Sequence, residues 1–255
     1  MKARVSTLVA GLAIAGALTI VGAGTAAAVT SAGPAGNGVC ATQATASRKT
    51  ATAETLRAFG DCEIARRLTT LTTLSSKVSA ATVLTASDKS ALSAIFSSTT
   101  SGLNDLKATI DAETSLPALR TDITKIATEF RVYLVVAPQT HLTIAADGVL
   151  ASQSRFTQIN TNLAARIAKA QAAGKDVTAA QADLDAMNKH EADAVALATG
   201  LPAKLLALTP AQYNAGTAGP VIASARTSLT TARNDLKSAV ASAQACRAAL
   251  KTLGF

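Results

Sequence analysis

Apolar residues recur at steps of three and four along most of the chain, the spacing of helices with one buried face. From about Ala51 to Ala80, Ile64, Leu68, Leu71 and Val78 keep it, with Ser75 in the one polar seam position. Thr85 then stands as an N-cap, with Asp88 at the capping-box position, ahead of Leu92, Phe96, Leu103, Leu106 and Ile110. Ser115 and Pro117 open a third helix through Leu119, Ile123, Ile126 and Phe130. At Val132–Val136 its stripe widens until the helix is apolar all round, which predicts a central, buried segment. The stretch from Glu129 to Asp147 reads as the end of this helix at about Ala137, a turn at Pro138 and the start of the next.

A fourth helix is predicted from Pro138 to Ala173, with Leu142, Val149, Phe156, Leu163 and Ala170 repeating every seven and Gly174 as its C-cap. Residues Val177 to Gln181 supply a cap and box for a fifth helix reaching about Ala198, which Gly200 and Pro202 end. Thr209 and Pro210 start one short turn. The last helix, about Val221 to Leu253, alternates steps of three and four from Ile222 through Leu229, Leu236, Ala243 and Leu250. Its alanine-rich seam permits short interaxial distances. The expected fold is all-α: an elongated antiparallel bundle of about six long helices with coiled-coil-like heptad packing, over residues 51–255.

What precedes the bundle changes where it is expected to work. Lys2 and Arg4 are followed by an uncharged run from Val5 to Gly22 and by Ala26-Ala27-Ala28, the pattern of a cleavable signal peptide over residues 1–28. Residues 29–50, with Gly, Pro, Ser and Thr in no period, read as a flexible linker. A secreted or envelope-associated chain with no membrane span after cleavage is expected. The formal charge of the chain is +8, spread without a basic block, and it holds five Phe, two Tyr and no Trp. That pattern argues against nucleic acid and leaves anionic envelope polymers, or another protein, as expected partners.

Candidate chemistry is sparse. Three cysteines in an exported chain allow one bridge. Cys62 and Cys246 lie where the ends of the first and last helices would meet, so their pairing is favoured, with Cys40 as the spare or as a rival partner for either. His141 and His190 lack metal-ligand spacing, and Asp183 and Asp185 diverge on a helix. No nucleophile motif, phosphate loop or C-x-x-C occurs, so no catalytic, cofactor or metal residue is assigned. Arg131 and Tyr133 beside the central turn are read as a snorkelling cation and a ring packed at a helix end. An interhelical ligand region, if there is one, would involve Phe130, Tyr133, His141 and Leu142. The acids of residues 176–193, among them Asp183, Glu191 and Asp193, either pair with a basic flank of Arg226, Arg233, Lys237, Arg247 and Lys251 or stand, like it, as a solvated face.

The strings GDCEIARRLTTLTTLSSKVSA, FRVYLVVAPQTHLTIAAD, AAGKDVTAAQADLDAM and LALTPAQYN resemble a group of exported all-helical proteins of high-GC Gram-positive bacteria. The resemblance covers about residues 60–253. It implies secretion and helical architecture, and it carries no established activity, cofactor or catalytic residue. The expected function is a non-enzymatic structural or interaction module at or outside the cell envelope. The alternatives are a carrier of an apolar small molecule between helices and a secreted membrane-active effector.

Overall fold

Regular helical bonding breaks at Glu129–Arg131, and the residues just after it, Val132 and Val136, still join the core of the segments before it. The computed structural model describes residues 38–255, and over them the protein is all-α. The elements are α1 (Ala41–Lys49), α2 (Ala53–Ala80), α3 (Ala86–Ala112), α4 (Leu116–Thr128), a π-helical turn (Val132–Val136), α5 (Ala137–Ala172), α6 (Thr178–Ala198), α7 (Leu201–Leu206), α8 (Pro210–Asn214) and α9 (Ala218–Thr252). The expected leader and the first part of the expected linker lie outside the described residues.

The helix ends follow their local chemistry. Thr52 caps α2 with a full box closed by the Thr55 hydroxyl. Thr85 caps α3 by accepting from the Asp88 N–H, but its own N–H donates to Asp147 of α5 at 3.1 Å, not to Asp88. Gly174, at φ +72°, ends α5 with bonds from the Lys175 N–H to the Ala170 carbonyl and from its own N–H to that of Gln171. The box expected within residues 177–181 does not form at α6: its N-cap, Val177, has no side-chain cap bond, and Asp176 just before it accepts from the Thr178 N–H at 2.9 Å. Thr209 and Gln212 close the box of α8.

Two expected boundaries are corrected. Helix α4 stops at Thr128, not at about Ala137, and the apolar run after it belongs to the π turn that leads directly into α5. Arg131 adopts φ 29°, the one left-handed non-glycine backbone among the described residues. Its carbonyl then accepts from Val135 and Val136, which sets the wider π spacing. Pro138 does not make the turn: it sits in the first turn of α5, where a missing N–H is harmless. Residues 41–49 of the expected linker form α1, a polar helix that buries none of its own residues.

One core gathers α2, α3, α4 and the π turn around Ile64, Leu71, Leu92, Leu103, Leu119 and Val132. Two further clusters run along α5, α6 and α9. Leu163, Ile167, Leu184, Met187, Cys246 and Leu250 form one, and Ala146, Val149, Ala194, Ala198, Leu229 and Ala232 form the other. The start of α6 thus meets the end of α9, and the end of α6 meets its beginning. Ala232, Ala239 and Ala243 are buried in this seam, so the helices approach over methyl groups with no room for longer side chains.

Ala239→Leu should therefore lower stability by about 1–3 kcal/mol through overpacking. Ala241→Leu, on the exposed face of the same helix, should stay within about 0.5 kcal/mol. Urea denaturation of the two variants checks the seam.

Candidate functional site

The most chemically distinctive region forms where α1 lies on α2. Cys40, at the start of α1, is bonded to Cys62 of α2 with their Cα atoms 5.8 Å apart. This corrects the expected Cys62–Cys246 bridge. Helix α1, absent from the sequence reading, brings Cys40 to Cys62, while Cys246 is buried and free in the α5–α6–α9 core. Burial and Asp183 push the Cys246 thiol up, so it stays protonated. The actual bridge spans a sequence separation of 22. In the chain-entropy model such a loop is worth about 3 kcal/mol.

Next to the bridge, one turn of α2 carries Glu63, Arg66 and Arg67. Glu63 Oε2 accepts from Arg66 at 2.8 Å and from Arg67 at 2.5 Å, and Arg67 also donates to the Glu63 carbonyl at 2.9 Å. Burial alone would raise the Glu63 carboxyl, but the two guanidiniums outweigh it and hold the group below its usual range. Both guanidinium carbons lie over the Tyr133 ring, at 4.8 Å for Arg66 and 5.3 Å for Arg67. Arg67 is only 7% exposed. Its Nε and the Tyr133 hydroxyl are buried without hydrogen-bond partners. An open cleft of about 210 Å³ borders the cluster, lined by Cys40, Ala44, Arg48, Phe59, Glu63 and Arg66.

The strained backbone at Arg131 aims Tyr133 at these arginines. Far from snorkelling, Arg131 donates from Nε to Asn214 at 2.8 Å and lies 5.1 Å over the Tyr213 ring. Asn214 in turn donates to the Thr128 carbonyl at the end of α4. Helix α8 thereby clamps both sides of the break.

The expected ligand region is not assembled as one site. Phe130 packs on the first core, where a Cβ at Gly102 would lie 2.6 Å from its ring. Leu142 packs with the Ala146–Leu229 cluster, His141 is exposed, and Tyr133 is engaged by the arginines. His190 Nδ1 lies 3.9 Å from Asp235 Oδ1, the one approach of a basic to an acidic side chain between α6 and α9 among the described residues. The expected acidic flank of α6 therefore does little to hold α9. Arg226, Arg233, Lys237, Arg247 and Lys251 are instead exposed and make no ion pair among the described residues. They fall on two adjacent heptad positions, forming one basic stripe about 38 Å long at helical rise. Asp235, the sole acid of α9, lies on the other flank.

A second polar feature runs inside the protein along α5. Gln139, Thr140, Thr143 and Asp147 are all buried. Gln139 donates to the Leu205 carbonyl of α7 at 2.7 Å, and Thr140 to the Val136 carbonyl at 2.7 Å. Burial, together with Asp88 close by, raises the Asp147 carboxyl from 3.8 to about 6, against the lowering effect of the Thr85 N–H. Below about pH 6, Asp147 therefore keeps its proton. No sequence pattern marked this pair, since the two acids are 59 positions apart (88 and 147) on different helices.

No family model, curated protein or solved structure matches the chain.

Folding holds the Asp147 proton more tightly than the unfolded chain does. Its contribution to stability is therefore full below pH 3.8 and is lost as pH rises through about 6. Asp147→Asn keeps an acceptor for Thr85 and offers Asp88 a permanent donor. It should match wild type at pH 4 and exceed it by up to about 3 kcal/mol above pH 7. Denaturation at the two pH values reads the difference.

Proposed function

We propose that this is an exported, non-enzymatic interaction protein acting at or outside the cell envelope. In this reading its long helices form an elongated antiparallel bundle with heptad-type seams, and the basic face of α9 contacts anionic envelope polymers. The observation that carries the reading is the exposed, unpaired basic stripe from Arg226 to Lys251. A row of cations on one rigid helix suits a linear polyanion better than a compact ligand, because each charge meets another segment of the same chain. The Cys40–Cys62 bridge supports export, since disulfides persist in oxidising compartments. The leader-like pattern of residues 1–28 points the same way.

The alternatives have less behind them. A carrier needs an enclosed apolar cavity of about 300 Å³ or more, whereas the hollow of about 480 Å³ along Ala41, Thr42, Thr45, Ala46 and Lys49 lies open at the surface and the cleft on the other side of α1 is smaller and charged. A membrane-active effector would draw on Leu116–Ala172, which contains a window long and apolar enough to cross a membrane. Half of that window is buried in the protein and would have to leave it.

Fractionation of producing cells tests the proposal. The protein should remain with envelopes at low salt and be released by a few tenths molar salt, as the screening length falls below about 10 Å. Replacing the five α9 cations with Gln should abolish that retention. Wild-type protein found wholly in the medium at low salt overturns the reading.

A further inference from the structure

We propose that the groove between α5 and α9 seats a linear phosphodiester polymer at two cradles of cations. Arg233, Lys237 and Arg155 form one cradle, and Arg247, Lys251 and Lys169 form the other. The proposal rests on the reading of α9 as an anion-binding face, and adds to it a second wall, a register and a class of polymer.

Helix geometry defines the groove. Val149 clusters with Ala232, and Leu163 and Ile167 with Cys246 and Leu250, so α5 and α9 run parallel. Helix α6 packs on one side of both. Its Asn188 donates to Asn160 of α5 at 3.2 Å, and its His190 lies beside the edge of α9 that carries Asp235. On α5, Arg166 reaches the other way and donates to the Phe255 carbonyl, just past the end of α9, at 2.6 Å. At about 100° per residue, Arg155 lies about 20° from Arg166 around the helix, and Lys169 about 60° further out. The five cations of α9 lie about 120° or more from Asp235, on the edge next to α5. Both walls are therefore basic. Arg155 and Lys169 are exposed and make no ion pair or side-chain hydrogen bond among the described residues. No acid interrupts either wall: Asp147, the sole acid of α5, is buried, and Asp235, the sole acid of α9, is on the far edge.

The two walls share a register. The core pairing sets Arg155 level with Lys237 and Lys169 level with Lys251. Arg233 and Lys237 recur as Arg247 and Lys251, and Arg155 recurs as Lys169, each at an interval of 14 residues (233 to 247, 237 to 251, 155 to 169). The cradles thus repeat at about 21 Å along the groove. An anion gripped from two walls must offer acceptors on two sides. A phosphodiester in a polymer backbone has two non-bridging oxygens that diverge, one toward each wall, whereas a carboxylate hangs from its polymer by one bond and turns both oxygens the same way. Nucleic acid has the phosphates but finds no stacking surface: α9 has no aromatic residue, and Phe156, the one phenylalanine of α5, is buried. Between the cradles stand Gln244 and Asn162, exposed and uncharged. Their amides suit the hydroxyls of a polyol phosphate chain.

The test titrates glycerol-phosphate oligomers into the full chain, disulfide intact, by calorimetry at low ionic strength. One set of oligomers is shorter than the cradle spacing and the other at least twice as long. The long set should bind about tenfold tighter or more, because the second cradle engages at high effective concentration. The Arg155→Gln, Lys169→Gln double variant should weaken long-oligomer binding by about tenfold or more and remove most of the length dependence. Arg120→Gln, an exposed cation of α4, should change binding by less than about twofold. Polygalacturonate of matched length should bind about tenfold more weakly. Equal binding of short and long oligomers, or of the double variant and wild type, overturns the two-walled groove. Polygalacturonate, or single-stranded oligo-dT, binding as tightly as the polyol phosphate overturns the class of polymer. Salt-releasable envelope retention by a protein that fails these tests leaves the α9 reading standing without the groove. Wild type that binds long oligomers through both cradles yet stays wholly in the medium sinks the envelope reading alone.

Discussion

The left-handed backbone at Arg131 is the constraint on which the arrangement of the described chain depends. A residue with a Cβ resists that conformation, and Arg131 is held in it by Asn214 and Tyr213 from a helix more than 80 residues later. Because the break is pinned there, the apolar residues after it wind as a π turn with Val132 and Val136 in the first core. The same turn carries Tyr133 to the two arginines of α2 and starts α5 in its course toward α6 and α9. Strain at one residue is thereby offset by contacts on both sides of it.

Helix α5 then serves two environments. Its first turns pack Ala137 and Ile144 against the α2–α3–α4 core, and from Ala146 onward it contributes to the seam with α6 and α9. A helix shared this way needs polar anchors as well as apolar area, because hydrophobic contact is not directional. Gln139 holding the end of α7 and Asp147 holding the cap of α3 supply them. The cost of burying Asp147 shows as a carboxyl raised to about 6, which holds its proton only below that pH.

Much of this was legible in the sequence, and the omissions have identifiable causes. The three-four spacing of α2, α3 and α9 survived folding almost unchanged, since each of those helices keeps its apolar stripe in the core. Gly174, Thr85 and the Thr209–Gln212 box act through local geometry and were readable for that reason. Helix α1 was missed because ATQATASRK has no apolar stripe; it is held by a covalent bond to Cys62, and periodicity does not record covalent bonds. The break at Arg131 was displaced to Pro138 because apolarity is continuous across residues 132–136, and a proline is the visible punctuation there. The decisive partner, Asn214, is too distant to be seen. Within the arginine cluster, Glu63 with Arg66 and Arg67 at three and four residues was a readable helix pairing. The Tyr133 that makes it a site was not, because its approach depends on the same unreadable break.

The two basic features differ in how their charge is held. On α9 the charges stand in water and act collectively, so their effect is long-ranged, tolerant of exact placement and readily screened. At the disulfide, both guanidiniums lie against one aromatic face, and one carboxylate already claims both. Their charge is largely met within the protein, and salt reaches it less. The chain has only two tyrosines, and each lies against arginine, Tyr133 against Arg66 and Arg67 and Tyr213 against Arg131. In a protein whose helices otherwise meet through alanine methyls, those two rings are the means of fixing a long, flexible cation in one direction. The ring over Arg131 fixes the fold. The ring over Arg66 and Arg67 fixes no backbone break, and the order it imposes is spent on the orientation of charge at a cleft.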